Sequence, residues 1–295
     1  MERSAVGYGV LHLVIAILCS GSLALIFRVT ESRGLNRLVV TAGNYATAVV
    51  VALTLVGTDS VVLPDPITFV IAIPAGFLFF ASFILYQRAV RDRGPGTAAM
   101  FGKLGVLVPT ILSMALWREF PQSVQYLGIV LALAAVGITV APRRVAARPH
   151  PMAVAVARPR PLLALLLLSM GFAEFANKLF ERSVPDGSRA VFLAILFAAA
   201  LAFTVMTIVA RRVRPSRAEL LAGVVVGVPN LFSSFFLIAS LRSLPAAAVF
   251  PAYSAGSMMV AVLGARLFFG TRLPRSERIA VVLAGAALVL VNLPA

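Results

Sequence analysis

Apolar stretches of about 20 residues follow one another along almost the whole chain, separated by short clusters of Arg, Pro, Gly and Asp. Ten of them can be marked, at 7–27, 38–57, 67–87, 95–117, 123–141, 161–181, 189–210, 219–240, 245–268 and 277–293. That is the length a helix needs to cross the hydrocarbon core of a bilayer. Inside each stretch the apolarity runs all round, without the one-sided stripe of a surface helix or the alternation of a barrel strand. Helices that satisfy their own backbone are the remaining solution. The pattern predicts an all-α integral membrane protein with ten transmembrane helices, multi-pass in the cell membrane.

The two halves repeat each other. At an offset of 150, Gly21 falls on Gly171, Arg28 on Lys178 and Glu31 on Glu181, and the turn Arg93-Gly-Pro95 falls on Ser243-Leu-Pro245. Phe80-Ala-Ser-Phe-Ile-Leu85 returns as Phe232-Ser-Ser-Phe-Phe-Leu237 at an offset drifted to 152. Five helices per copy is an odd number, so the second copy enters the membrane from the opposite side. This predicts two inverted five-helix repeats, 1–142 and 161–295, with a binding site near mid-membrane where they meet. Between them, 143–160 is rich in arginine and proline and reads as a linker.

Composition and charge narrow the class. Only 13% of the residues are charged and 60% are hydrophobic, against roughly 25% charged in soluble domains. The net charge of +15 does not point to nucleic acid, because the arginines sit in loops and not along one helical face. Counted by side, the loops after odd-numbered spans hold 19 cations and the opposite loops six. That excess predicts cytoplasmic odd-to-even loops and both termini outside. One cysteine, Cys19, and two distant histidines, His12 and His150, give no metal-ligand cluster, and we expect no cofactor. The first apolar run continues past Leu18 to Phe27 without a small-x-small cleavage site, so it reads as a retained helix. No paired catalytic acids occur, and we expect a non-enzyme.

Candidate chemistry lies where charge interrupts the spans. Glu174 falls about 4 Å past the middle of the sixth span and Lys103 about 4 Å before the middle of the fourth, at 1.5 Å per residue. Facing lipid, each would cost roughly 2.5–3.5 kcal/mol, so each needs a partner or a watered cavity. They can be a structural ion pair or a substrate site. Asn177 shares a face with Glu174, Asn230 follows a helix-interrupting proline, and Tyr253 stands at the repeat counterpart of Lys103. These five, Lys103, Glu174, Asn177, Asn230 and Tyr253, are the candidate substrate-binding residues. Lys178 is four residues after Glu174 and close to the span end, which predicts an i, i+4 pair with its ammonium at the interface. Phe79, Phe80, Phe83 and Phe235 are expected to pack, and Gly223 and Gly227 to allow close helix contact.

Further motifs carry a family likeness. An alanine-rich helix opened by proline, Gly94-Pro-Gly-Thr-Ala-Ala, runs to Trp117-Arg-Glu119-Phe-Pro and is followed by a helix with spaced Gly128 and Gly137. The second copy reads Leu244-Pro-Ala-Ala-Ala-Val to Phe269-Gly-Thr-Arg272, then Gly285, without an acid to match Glu119. This layout resembles the EamA-type transporters of the drug/metabolite transporter superfamily over nearly the whole chain. The resemblance implies a carrier driven by the proton motive force or by exchange, often an exporter, with a cavity lined by spans 1, 3, 4, 6, 8 and 9. The expected function is secondary transport of a small organic solute by alternating access, in a monomer or homodimer surrounded by membrane lipid, with protons a candidate coupling ion. A lipid or lipid-linked-sugar flippase on the same fold is the alternative, and a non-transporting scaffold a third.

Overall fold

The computed structural model describes residues 2–56, 64–93, 95–140, 160–270 and 275–291. All regular structure among them is helical: α1 (Glu2–Ser32), α2 (Arg37–Val56), α3 (Pro66–Arg93), α4 (Pro95–Leu104), α5 (Leu107–Trp117), α6 (Ser123–Val140), α7 (Arg160–Ser183), α8 (Arg189–Ala210), α9 (Arg217–Leu241), α10 (Ala246–Phe269) and α11 (Arg275–Val291). Seven of them are long and apolar enough to span a bilayer, with shorter apolar stretches at 101–117 and 123–138. The linker expected over 143–160 lies outside the described residues, apart from Arg160, which opens α7. α1 and α3 run past their apolar stretches, because helical hydrogen bonding continues into the polar residues at 28–32 and 88–93.

The fourth span is a correction. A single helix was expected over 95–117, and two are present, joined at Gly105 and Val106 by i, i+3 hydrogen bonds from Gly105 to Gly102 and from Val106 to Lys103, both 3.3 Å. The repeat register gives the reason. Pro95 matches Pro245 at an offset of 150, whereas Trp117 and Phe269, the last residues of their helices, match at 152. The first copy has therefore lost two residues across this span, more than half a helical turn. α10 has no such loss and stays continuous.

Helix packing comes in exchange-related couples. α1 packs on α9 and α10 while α7 packs on α3 and on α4 and α5; α2 packs on α9 while α8 packs on α3; α2 meets α8 and α6 meets α11 across the pseudo-twofold. The contacts repeat atom by atom. A Cβ built on Gly21 would stand 2.5 Å from Val260 Cβ, and one on Gly171 2.5 Å from Val108 Cβ. One on Gly227 would meet the carbonyl of Asn44 and the side chain of Thr47, and one on Gly76 the carbonyl of Leu196 and the side chain of Ala199, each 152 residues further on. Lipid is as apolar as leucine, so burying apolar surface does not drive helices together here; close backbone approach at small residues does. Gly223 and Gly227 meet this expectation, both lying against α2. Large apolar side chains such as Val70, Val209, Leu221 and Val282 remain on the outer surface, as a lipid-facing wall requires.

Candidate functional site

A close crossing between the two copies sets up the site. A Cβ on Gly171 would lie 2.6 Å from the Gly105 carbonyl, and one on Gly105 would lie 3.0 Å from the Leu167 carbonyl, so α7 and the α4–α5 joint touch backbone to backbone. Lys103 stands two residues before this crossing and Glu174 three residues after it. Both side chains open into one cavity of about 380 Å³. Among the described residues no ion pair joins them. Lys103 donates instead to Ser257 Oγ of α10 at 3.5 Å, and Glu174 Oε2 accepts from Asn177 Nδ2 at 3.3 Å.

Four of the five expected site residues line this cavity, namely Lys103, Glu174, Asn230 and Tyr253. Asn177 does not. It is fully buried behind Glu174, where its amide donates to the carboxylate and its own Oδ1 is left without a partner. Asn230 donates to Asn44 Oδ1 at 3.0 Å, and the Tyr253 hydroxyl is 2.7 Å from Ser233 Oγ, which also approaches the Ala16 carbonyl. Six aromatic side chains also line it: Phe27, Tyr45, Phe79, Phe83, Tyr86 and Phe250. Phe80 and Phe235 pack as expected, stacked on Phe203 and edge-on to Phe236. Sequence reading missed Asn44 and Thr41, both buried in α2, where no proline stands beside the amide as Pro229 does beside Asn230.

Lys178 overturns its expected partner. It is not paired with Glu174 but buried within the protein, 3% exposed, with its ammonium 2.9 Å from Glu119 and 2.9 Å from Glu181. It also donates to the Leu241 carbonyl at 3.4 Å and lies 5.9 Å from the centre of the Trp117 ring. An i, i+4 step places residues on one face of a helix, and here Glu181, at i+3, shares the lysine with an acid from another element. Glu119 reaches it because Arg118 ends α5 in a left-handed turn, φ 53°, and its second oxygen accepts the Ala246 N–H at 2.9 Å where α10 begins.

Comparison with known proteins fits this architecture. Residues 7–141, the first of the two copies, match the EamA-like transporter family. The chain is a multi-pass membrane protein. A solved crystal structure aligns over 97% of this chain and 98% of its own with a TM-score of 0.75; at 17% identity the likeness concerns the fold alone. No curated protein matches the sequence.

Proposed function

We propose that this chain is an EamA-type secondary transporter that carries a small organic solute through the central cavity by alternating access, with export as its direction. The observation that supports this reading is the cavity itself. It lies between the copies and presents two opposite charges, Lys103 and Glu174, that are not spent on each other. An ion pair kept only for structure would be closed and bonded; two separated charges on an aromatic-walled cavity are available to a solute. Lys103 would hold an anionic or carbonyl group and Glu174 a cationic or hydroxyl group, while Asn230 and Tyr253 fix the polar edge. The aromatic wall favours solutes with an apolar body. Glu174 is also the group able to take up a proton inside the cavity, which makes protons the candidate coupling ion.

The excess of cations in the odd-to-even loops supports cytoplasmic placement of those loops, with both termini outside. The test is a thermal-shift screen of the purified protein across amino acids, sugars, nucleosides and cationic drugs, followed by flux of the hits in proteoliposomes. The reading expects saturable flux that an uncoupler reduces. Movement of lipid analogues alone would establish the flippase instead, and no flux of either kind would leave a scaffold.

A further inference from the structure

We propose that Glu119, Lys178 and Glu181 form a latch that ties the two copies together at one end of the cavity and must part for that end to open. The latch is a device for the transporter reading above and rests on it for its purpose.

Four helix ends meet at the latch. Lys178, near the end of α7, binds Glu119 from the turn after α5, its own helix neighbour Glu181, and the carbonyl of Leu241 that ends α9. Glu119 extends the tie to the first amide of α10. A single carboxylate and a single ammonium thus hold elements of both copies together. Among the described residues the cavity lining stops at Glu174 on α7 and Asn230 on α9 and includes nothing from α5, while on α10 it reaches Phe250, four residues after Ala246. Towards the opposite end it runs on to Phe27, Thr41 and Tyr86, within about two turns of the α1–α2 and α3–α4 connections.

The mirrored end shares most of the parts. Arg28 replaces Lys178 and lies 4.6 Å from the centre of the Phe269 ring, as Lys178 lies near Trp117. Gly270 is left-handed at φ 60°, in the place of Arg118. The part that differs is the acid, because the turn reads Gly270-Thr-Arg272 where the first copy has Arg118-Glu119. Glu31, the counterpart of Glu181, pairs outward with Arg37, their side chains 48% and 36% exposed.

The chemistry suits a contact that must open. Parting an apolar seam exposes apolar surface to water, whereas parting a buried ion cluster returns its charges to hydration, which offsets much of the lost attraction. A latch of this kind closes tightly and releases at modest net cost, as an equilibrium between two states requires.

The test is pulsed electron paramagnetic resonance in lipid nanodiscs, without solute, on full-length protein in a Cys19→Ser background. One label pair, at Gln122 and Arg182, reads the latched end, and a second, at Ser32 and Arg88, reads the mirrored end; all four positions are exposed. Glu119→Gln keeps an oxygen for the Ala246 amide and removes the charge, and Glu181→Gln removes the other charge. We expect the long-distance population at the latched end to rise roughly tenfold in each variant, with shortening at the mirrored end. Unchanged distributions in both variants overturn the proposal. So does an opening in Glu119→Ala that is missing from Glu119→Gln, since the amide cap and not the ion cluster would then hold the end. Because no solute is present, failure here leaves the transport reading standing, and distance shifts without solute flux in proteoliposomes sink only the transport reading.

Discussion

The two copies agree where helices touch and disagree where the protein meets charge. Gly21 and Gly171 sit at equal distances from matched valines, and Gly76 and Gly227 meet matched carbonyls. Against that regularity, Lys103 faces a tyrosine in its counterpart position, Glu174 an alanine, Glu119 a threonine, and one span is broken while its partner is not. Packing tolerates duplication because it depends on small side chains at fixed spacings. A binding site for an asymmetric solute cannot be twofold symmetric, and the site we propose is assembled from the positions at which the copies have diverged.

The largest effect should come from removing that divergence. Lys103→Met and Glu174→Gln are each expected to lower solute flux about 100-fold or more, as loss of a buried charged partner would. Neither touches a close helix crossing, so thermal unfolding in detergent should stay within a few degrees of the parent. Normal flux in both variants would show that the asymmetric charges are structural and would remove the central-site reading.

The symmetric positions should answer with stability and not with specificity. Gly21→Ala and Gly171→Ala each place a methyl 2.5 Å from a valine Cβ, so the helices must part. We expect each to cost about 1–3 kcal/mol, in near-equal amounts. The measurement is the unfolding midpoint of each variant under the same detergent and lipid conditions. A large cost for one and none for the other would break the pseudo-symmetry that the packing displays.

What could be read in the sequence divides along the same line. Span number and the inverted repeat were legible because both rest on apolar length and on small residues at a fixed offset, which are local properties. Glu174 and Lys103 were legible because charge inside lipid is costly wherever it points. Lys178 was misread for the same reason that Asn177 was: sequence spacing fixes which face of α7 a residue occupies but not which helix end lies opposite. Only the fold brings the turn at Arg118 and Glu119, 59 residues away along the chain from Lys178, against that face. The break in the fourth span was hidden because two missing residues leave no trace in hydropathy.

The turns that end α5 and α10 offer a smaller test. Both adopt a left-handed conformation, at Arg118 in one copy and Gly270 in the other, and only glycine does so without a steric penalty from its Cβ. Arg118 is exposed, so its side chain is not holding the turn by packing. Arg118→Gly is expected to stabilise the protein by about 1 kcal/mol, and Gly270→Ala to destabilise it by a similar amount. Opposite signs in the two unfolding midpoints are the outcome sought, and equal signs would mean the two turns are not held by the same geometry.

The smallest effect probes the seam between copies. Asn230 donates to Asn44 across α9 and α2. The counterparts at offsets of 151 and 152 are Phe79 and Leu196, and there Phe79 packs edge-on against Phe197, at 5.9 Å between ring centres. One seam is thus polar and the other apolar, both beside the same cavity. Hydrogen bonds between membrane helices contribute about 0.6 kcal/mol on average, because the separated helices also find partners. A double-mutant cycle on Asn44→Leu and Asn230→Leu should return a coupling of about that size in stability. The flux readout should respond more than the stability readout, since each amide also faces the cavity. A coupling energy of zero together with unchanged flux would mean the amide pair is a passive replacement for the aromatic seam, and that divergence between the copies is not by itself a mark of the site.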